Sequence, residues 1–248
     1  MKSIGFVGQM DNSGIVLCIA RLVAQFGKKV IVIDATSQQR TRYTVPGITS
    51  RTVEQYVNKH DSVDVAVGFN NILELKKWHV TKGEDFNDYD YVFINTDRVE
   101  MCEEFDISNA NTLFFTTTYD LYDLDKGVEL LKYVCASKRN DDTNAKIRIN
   151  TIIASTAINT VDSRRIDDLT RDMQVEQIGE KIELSYDEGD LSALIQNQYS
   201  NKIEFKNLSR QTKEGIAEAA CRIMEEPKDR VLKAVKSVER NASFSRRR

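Results

Sequence analysis

Short apolar runs of strand length alternate with amphipathic stretches of helix length along most of the chain, the arrangement of a parallel sheet wrapped by helices. Strands are expected over 3–7, 29–33, 91–95, 112–116, 147–154 and 181–184. Several of these runs are apolar at consecutive rather than alternate positions, as a sheet covered on both faces requires. Helices are expected over 14–26, 123–137, 163–173, 191–199 and 211–226; Pro227 stops the last of them, and 228–240 restarts as another. Residues 44–83 carry a weaker pattern, which predicts a short helix near 52–58 and a strand near 73–75. No internal repeat is visible. The fold class that follows is α/β, a doubly wound and mostly parallel sheet flanked by helices, with one domain over 1–227 and a C-terminal helix and basic tail over 228–248.

The chain's 248 residues are enough to bury a sizeable core as a single unit. With 2 prolines and 11 glycines, little is left for linkers or low-complexity segments. The formal net charge of -3 argues against a general polyanion binder, but Arg240, Arg246, Arg247 and Arg248 close the chain with no acid among them, so any such contact is local. Cys18, Cys102, Cys135 and Cys221 are too far apart for a metal-ligand pair, and at least three fall inside helical apolar patterns; they read as reduced core thiols. The apolar run 4–7 is of strand length and ends at Gly8, unlike a signal peptide, and no stretch approaches the roughly 18 apolar residues of a membrane span. A cytoplasmic location is expected, with peripheral attachment at the inner face of a membrane left open.

The candidate chemistry lies between the first strand and the first helix, where Gly8, Gln9, Met10, Asp11, Asn12, Ser13 and Gly14 stand in the place of a phosphate loop. Such a loop needs glycines so that backbone amides turn onto a phosphate, a lysine for the β/γ oxygens and a hydroxyl for Mg²⁺. Here Gly8, Ser13 and the placement remain. The lysine position reads Asn12, and the residue before it is Asp11, whose carboxylate repels phosphate. Taken alone, Gly8 and Gly14 are turn glycines and Ser13 is an N-cap for a helix beginning at Gly14. His60 and His79 have no neighbouring Cys or carboxylate spacing that suggests a metal site and read as packing or surface residues, and Trp78 reads as a core anchor.

The opening IGFVGQMDNSGIVLCIARLVAQFGKKVIVIDATSQ resembles, without a gap, the start of MinD/ParA-type P-loop ATPases. The likeness continues through YDYVFINTD at 89–97, TLFFTTT at 112–118 and IELSYDEGDLSALIQNQ at 182–198; GKKVIVID is its specific segment, and the rest is a match of order and spacing. The resemblance implies ATP and Mg²⁺ as cofactors, a dimer, and functional residues that can be carried over one at a time. The family's signature lysine falls on Val7 or Gln9, and its loop lysine on Asn12. The Mg²⁺ hydroxyl falls on Ser13, which would contact a metal only as part of Mg-ATP, and the next hydroxyl position is Gly14. After Asp34, the second switch aspartate falls on Thr36. The metal-contacting aspartate of the later strand falls on Asn95, with Asp97 two residues late.

Four charged parts are absent together, and phosphoryl transfer depends almost wholly on positioning and charge neutralisation. Each such contact is worth roughly 3 kcal/mol, about a hundredfold in rate. The residues therefore point to a pseudo-ATPase with no catalytic residue, no resident metal and no favoured cofactor, in which residues 8–14, Asp34, Thr36 and Asn95 are a vestigial nucleotide site. The function expected is a positioning or scaffolding module for a pilus, secretion, division or partition apparatus, with the family's atypical TadZ members as one setting. The alternative is an ATP-dependent switch with an atypical loop. Protein partners and a homodimer are expected and nucleic acid is not, since the tail has arginines without interleaved aromatics. The helix over 228–240 places Val231, Leu232, Val235 and Val238 on one face, which could meet a membrane, a partner or the domain itself. A dinucleotide-binding oxidoreductase is excluded, because no G-x-G-x-x-G follows the first strand.

Overall fold

Residues 1–44, 55–138, 146–155, 163–185, 187–200 and 202–244 are described by the structure, a computed structural model. The elements run β1 (Lys2–Val7), α1 (Ser13–Ala24), β2 (Val30–Asp34), β3 (Tyr56–His60), β4 (Val63–Val67), α2 (Ile72–Thr81), β5 (Tyr91–Thr96), α3 (Val99–Glu104) and β6 (Thr112–Thr117). Then follow α4 (Leu121–Ser137), β7 (Ile147–Ser155), α5 (Arg164–Thr170), β8 (Val175–Gln177), β9 (Ile182–Ser185), α6 (Glu188–Ser200), α7 (Arg210–Met224) and α8 (Lys228–Phe244). One sheet holds the nine strands in the order β3-β4-β2-β5-β1-β6-β7-β8, with β9 also paired to β7. Every pairing is parallel except the β3–β4 hairpin.

β1 lies at the centre, in register with β5 from Lys2 opposite Tyr91 to Val7 opposite Thr96, and its residues from Ile4 to Val7 are buried. Alternation decides which layer each side chain joins. Ile4 and Phe6 join α1, α7 and α8 in one layer, where Phe6 stacks on Phe114 of β6 at 5.0 Å between ring centroids. Val7, Ile31 and Ile33 join residues of α3 and α4 in the other. Each such side chain, fully withdrawn from water, contributes about 1.5–3 kcal/mol. Two apolar layers on one sheet explain why the central strands read as continuous apolar runs.

Two expectations for 44–83 are corrected. Tyr56–His60, within the stretch expected as a helix near 52–58, is the antiparallel edge strand β3, while 52–54 lie outside the described residues. The strand alternates, with Tyr56 in one layer and Val57 in the other, but its edge position leaves Asn58 and Lys59 exposed and hides the pattern. Its partner β4 is reached through a two-residue turn at Asp61 and Ser62, with Asp61 at φ 58° in the left-handed region that aspartate tolerates. The strand near 73–75 is instead part of α2, whose Asn71 side chain caps the Glu74 N–H at 2.9 Å. Leu75 and His79, one helical turn apart, are buried, whereas Leu73 is exposed.

The C-terminal helix α8 packs on α7 and α1, with Val231, Val235 and Val238 inside the first core layer. Of the three possible contacts for its apolar face, the one made is with the domain itself. Among the described residues no helix is long and apolar enough to cross a membrane.

Candidate functional site

The loop between β1 and α1 lies at the C-terminal edge of the parallel strands, where open α/β sheets place their ligand sites. Gly8 begins it, and a Cβ there would lie 1.8 Å from the Thr116 carbonyl oxygen of β6. Only glycine lets the two strands stay this close. Its N–H donates to the Thr96 carbonyl at 3.3 Å. Met10 turns into the core, and Gly14 meets the side chain of Leu194 on α6.

Asn12, rather than Ser13, holds the N-cap position of α1, which corrects the boundary expected from sequence. The Asn12 side chain does not cap; it is buried, and its Nδ2 donates to Thr116 Oγ1 at 2.9 Å. Thr116 in turn donates to the Val7 carbonyl at 3.3 Å, so β1, β6 and the loop close on one another. The acceptor for the first helical amide comes instead from Asp11, whose Oδ1 accepts the Ser13 N–H at 3.2 Å and whose Oδ2 accepts from Arg40 Nη1 at 2.9 Å. Ser13 is the first helical residue and is buried.

Asp34 ends β2 directly beside Asn95 of β5. Its Oδ1 accepts from the Thr36 N–H (3.1 Å) and hydroxyl (2.6 Å), and its Oδ2 from the Thr41 N–H (3.0 Å) and hydroxyl (2.6 Å). Burial pushes this carboxyl above its ordinary value, while the four donors oppose the shift. Thr36 Oγ1 also accepts the Gln39 N–H at 3.0 Å, which folds residues 36–41 around Asp34. Asn95 is buried between Phe6 and Asp34 in register, and its Nδ2 has no hydrogen-bond partner. Asp97 accepts from the Ser37 N–H at 2.7 Å and hydroxyl at 2.6 Å.

Gln9, Met10, Asp11 and Thr36 are brought together on a cleft of about 300 Å³, whose opposite wall carries Tyr122 and Asp123 at the start of α4. Its charged side chains are Asp11, Asp97 and Asp123 against Arg40, a net negative lining. Gly8, Asn12, Asp34 and Asn95 do not line it, while Ser13 and Gly14 line an adjoining cavity of about 40 Å³ with His60, Cys18 and Leu194, and Asp11 and Arg40 border both. Sequence reasoning missed Arg40, Thr41, Thr116, Tyr122 and Asp123. Thr41 and Arg40 carried a faint signal as polar residues just after Asp34; Thr116 and α4 reach the loop only through the β1–β6 pairing. His60 and His79 are both buried packing residues, as one of their two expected roles had it, and Trp78 packs edge-on to Phe69. Burial pushes the Cys18 thiol up to about 12, which leaves it inert as a nucleophile. Among the described residues no group of three His, Cys, Asp or Glu could hold a metal ion.

No protein-family model matches the sequence, and a search of the curated proteins finds no significant relative. Solved structures do match over nearly the whole chain. MinD in the MinC:MinD cell division complex of Aquifex aeolicus superposes with a TM-score of 0.62 at 14% identity, covering 92% of this chain and 97% of that one. The chain has the MinD/ParA-type P-loop fold. A ParA family ATPase from Chlorobium tepidum gives 0.58 at 17% identity over 88% and 98%. A plasmid partition protein of Borrelia burgdorferi, solved bound to AMPPNP, gives 0.58 at 15% identity over 90% and 98%. Identities this low carry the fold and its mostly parallel nine-stranded sheet; what the loop does on that fold depends on its own side chains.

Proposed function

We propose that this protein is a non-catalytic variant of the MinD/ParA-type fold that positions a cell apparatus through protein contacts at the face bearing the β1–α1 loop. The observation that carries the reading is the Asp11 carboxylate seated on the Ser13 amide, the N–H group at the start of α1 that a phosphate would need. A lone carboxylate about 4 Å from a phosphate repels it by roughly 4 kcal/mol at the effective dielectric of a protein surface, and the ion pair with Arg40 offsets part of that here.

The residues present do not fit a Mg-nucleotide. Asn12 brings no charge and is turned inward onto Thr116, and both Asp34 oxygens are taken by Thr36 and Thr41. Asn95 offers a neutral amide where the resemblance leads one to expect a carboxylate. The cleft adds Asp97 and Asp123 to Asp11 against one guanidinium. In place of charge for phosphate, the rim presents Leu121 and Tyr122, both largely exposed, side chains suited to a protein interface. A contact there, with a partner protein or a second copy, would be constitutive, since no nucleotide would gate it. The division and partition roles of proteins that share the fold support a positioning task of this kind.

The test is calorimetry and a turnover assay with ATP, ADP and Mg²⁺, together with sedimentation. We expect no binding heat, no hydrolysis above background and an association state indifferent to ATP, weakened by Asp11→Lys, by Gln9→Glu or, at the residue that follows Asp97 and precedes α3, by Arg98→Glu. Magnesium-dependent turnover that disappears in Ser13→Ala would establish the ATP-dependent switch instead.

A further inference from the structure

His79 of α2 is 1% exposed, and both of its ring nitrogens face oxygen atoms. Nδ1 lies 2.9 Å from the Leu75 carbonyl, which can only accept, so Nδ1 carries a proton. Nε2 lies 3.3 Å from the Tyr89 hydroxyl, and that hydroxyl donates its one proton to Asp64 Oδ2 of β4 at 2.9 Å. Burial, joined by the Asp64 charge, pushes the Tyr89 phenol well above its ordinary value, so it keeps the proton. A donor is then needed at Nε2 as well: the three hydrogen bonds coexist only when the ring holds both protons. With a neutral ring, the Tyr89 proton serves either Nε2 or Asp64. Asp64 is partly exposed and can turn to water, whereas the His79 ring is closed off from it.

We propose that His79, Tyr89 and Asp64 form a proton-operated clasp between α2 and β4, in which proton uptake at His79 turns the Tyr89 hydroxyl from Nε2 to Asp64. The setting supplies what both states need. The rings of Trp78, Phe86 and Tyr89 stand edge-on around His79, with centroids 5.2, 5.4 and 5.6 Å away, and shield its hydrogen bonds from competing water. Two acids serve as counter-charges for the imidazolium: Glu84, whose Oε2 is 4.0 Å from Nε2 on the exposed side, and Asp64, acting through Tyr89. The cations nearby are turned to other partners. Lys29 lies 4.8 Å over the Tyr89 ring and pairs with Asp88, Lys76 lies over Phe86, and Lys82 lies over Trp78. In the protonated state α2 is tied through Tyr89 to the strand beside the sheet edge; in the neutral state the tie ends at Tyr89. The clasp shares no residue with the lining of the β1–α1 cleft, so it stands or falls apart from the loop-face reading.

The test is nuclear magnetic resonance of the full chain, labelled with ¹⁵N and ¹³C, over a pH series in which it stays folded. The chain has only 2 histidines, and Trp78 is its 1 tryptophan. As pH falls, the His79 ring should pass in one step from a form protonated on Nδ1 alone to one protonated on both nitrogens, and the Asp64 carboxyl carbon should shift at the same midpoint. Trp78 emission should follow that step, keep it in His60→Gln and lose it in His79→Gln. Tyr89→Phe keeps the ring packing and removes the hydroxyl; it should leave the His79 step in place and abolish the matching shift at Asp64, which a merely packed tyrosine would not do. If His79→Gln fails to fold, the Asp64 shift in Tyr89→Phe decides. A His79 ring held in one protonation state throughout overturns the proposal. So does a neutral form protonated on Nε2, a Trp78 step that persists in His79→Gln, or an Asp64 shift undiminished in Tyr89→Phe.

Discussion

Asn12 and Thr116, 104 positions apart in sequence, are joined by a 2.9 Å hydrogen bond from Asn12 Nδ2 to Thr116 Oγ1 in the buried floor of the β1–α1 loop. The residue on which the MinD/ParA resemblance would place a phosphate lysine binds the loop to the neighbouring strand.

Asn12→Lys should therefore not create an ATPase. The lysine loses the bond to Thr116, must leave a buried position, and meets Asp11 and Asp97 already in the cleft. A loss of about 1–3 kcal/mol in urea unfolding is expected, with no ATP turnover. A gain of Mg²⁺-dependent hydrolysis in this single variant would show that the remaining loop is competent after all.

Gly8 and Gly14 should behave differently on replacement by alanine. At Gly8 the new methyl would collide with a backbone carbonyl 1.8 Å away, whereas at Gly14 it meets the movable tip of Leu194 at 3.2 Å. Gly8→Ala should cost about 3 kcal/mol or more, at or beyond the upper end of ordinary overpacking, and Gly14→Ala less than about 1 kcal/mol. Thermal melts of the two variants side by side would check this, and equal losses would contradict the close approach of β1 to β6.

His60 should make stability fall in mild acid. Burial lowers its value below the ordinary 6.5, partly offset by neighbouring Asp61, and its Nδ1 has no partner in the interior. A depressed folded value means that the neutral ring is the stable form. Its contribution is complete above the unfolded value of about 6.5 and is lost as pH falls through the folded one. The urea midpoint should drop more between about pH 7.5 and 5 for the wild type than for His60→Gln. Parallel slopes for the two proteins would remove His60 from the explanation.

Val235 distinguishes a packed α8 from one that carries the protein to a membrane. It lies in the core with Val231 and Val238, so Val235→Glu buries an unpaired carboxylate. A destabilisation of about 3 kcal/mol or more is expected. Undiminished stability together with loss of binding to anionic vesicles would show that the helix leaves the domain.

Much of the architecture was legible because the central strands are covered on both faces. β1, β2, β5 and β6 declare themselves as apolar runs, β7 and β9 by alternation that buries Ile147 and Ile149 and then Ile182 and Leu184, and α1, α4, α5, α6 and α7 by their period, while the short α3 gave no such signal. The edge gave no such signal: β3 leaves Asn58 and Lys59 in water and turns at Asp61, with neither glycine nor proline to mark the hairpin. α2 was misread because Leu73 and Leu75 alternate locally, while the pair that packs the helix, Leu75 and the polar His79, is spaced by four.

For the site, sequence by itself determined which side chains are present: Asn12, Thr36 and Asn95 stand where the MinD/ParA resemblance calls for charges, and Asp11 where it calls for a glycine. Their use was decided only by tertiary structure. Which amide Asp11 covers, which hydroxyl Asn12 binds and which donors occupy Asp34 depend on β6 lying beside β1 and on residues 36–41 folding back over β2. The same holds for α8, whose valine face the sequence offered equally to membrane, partner or core. Hydrophobic burial has no direction of its own, and the groove beside α7 and α1 that receives those valines exists only once distant segments have packed.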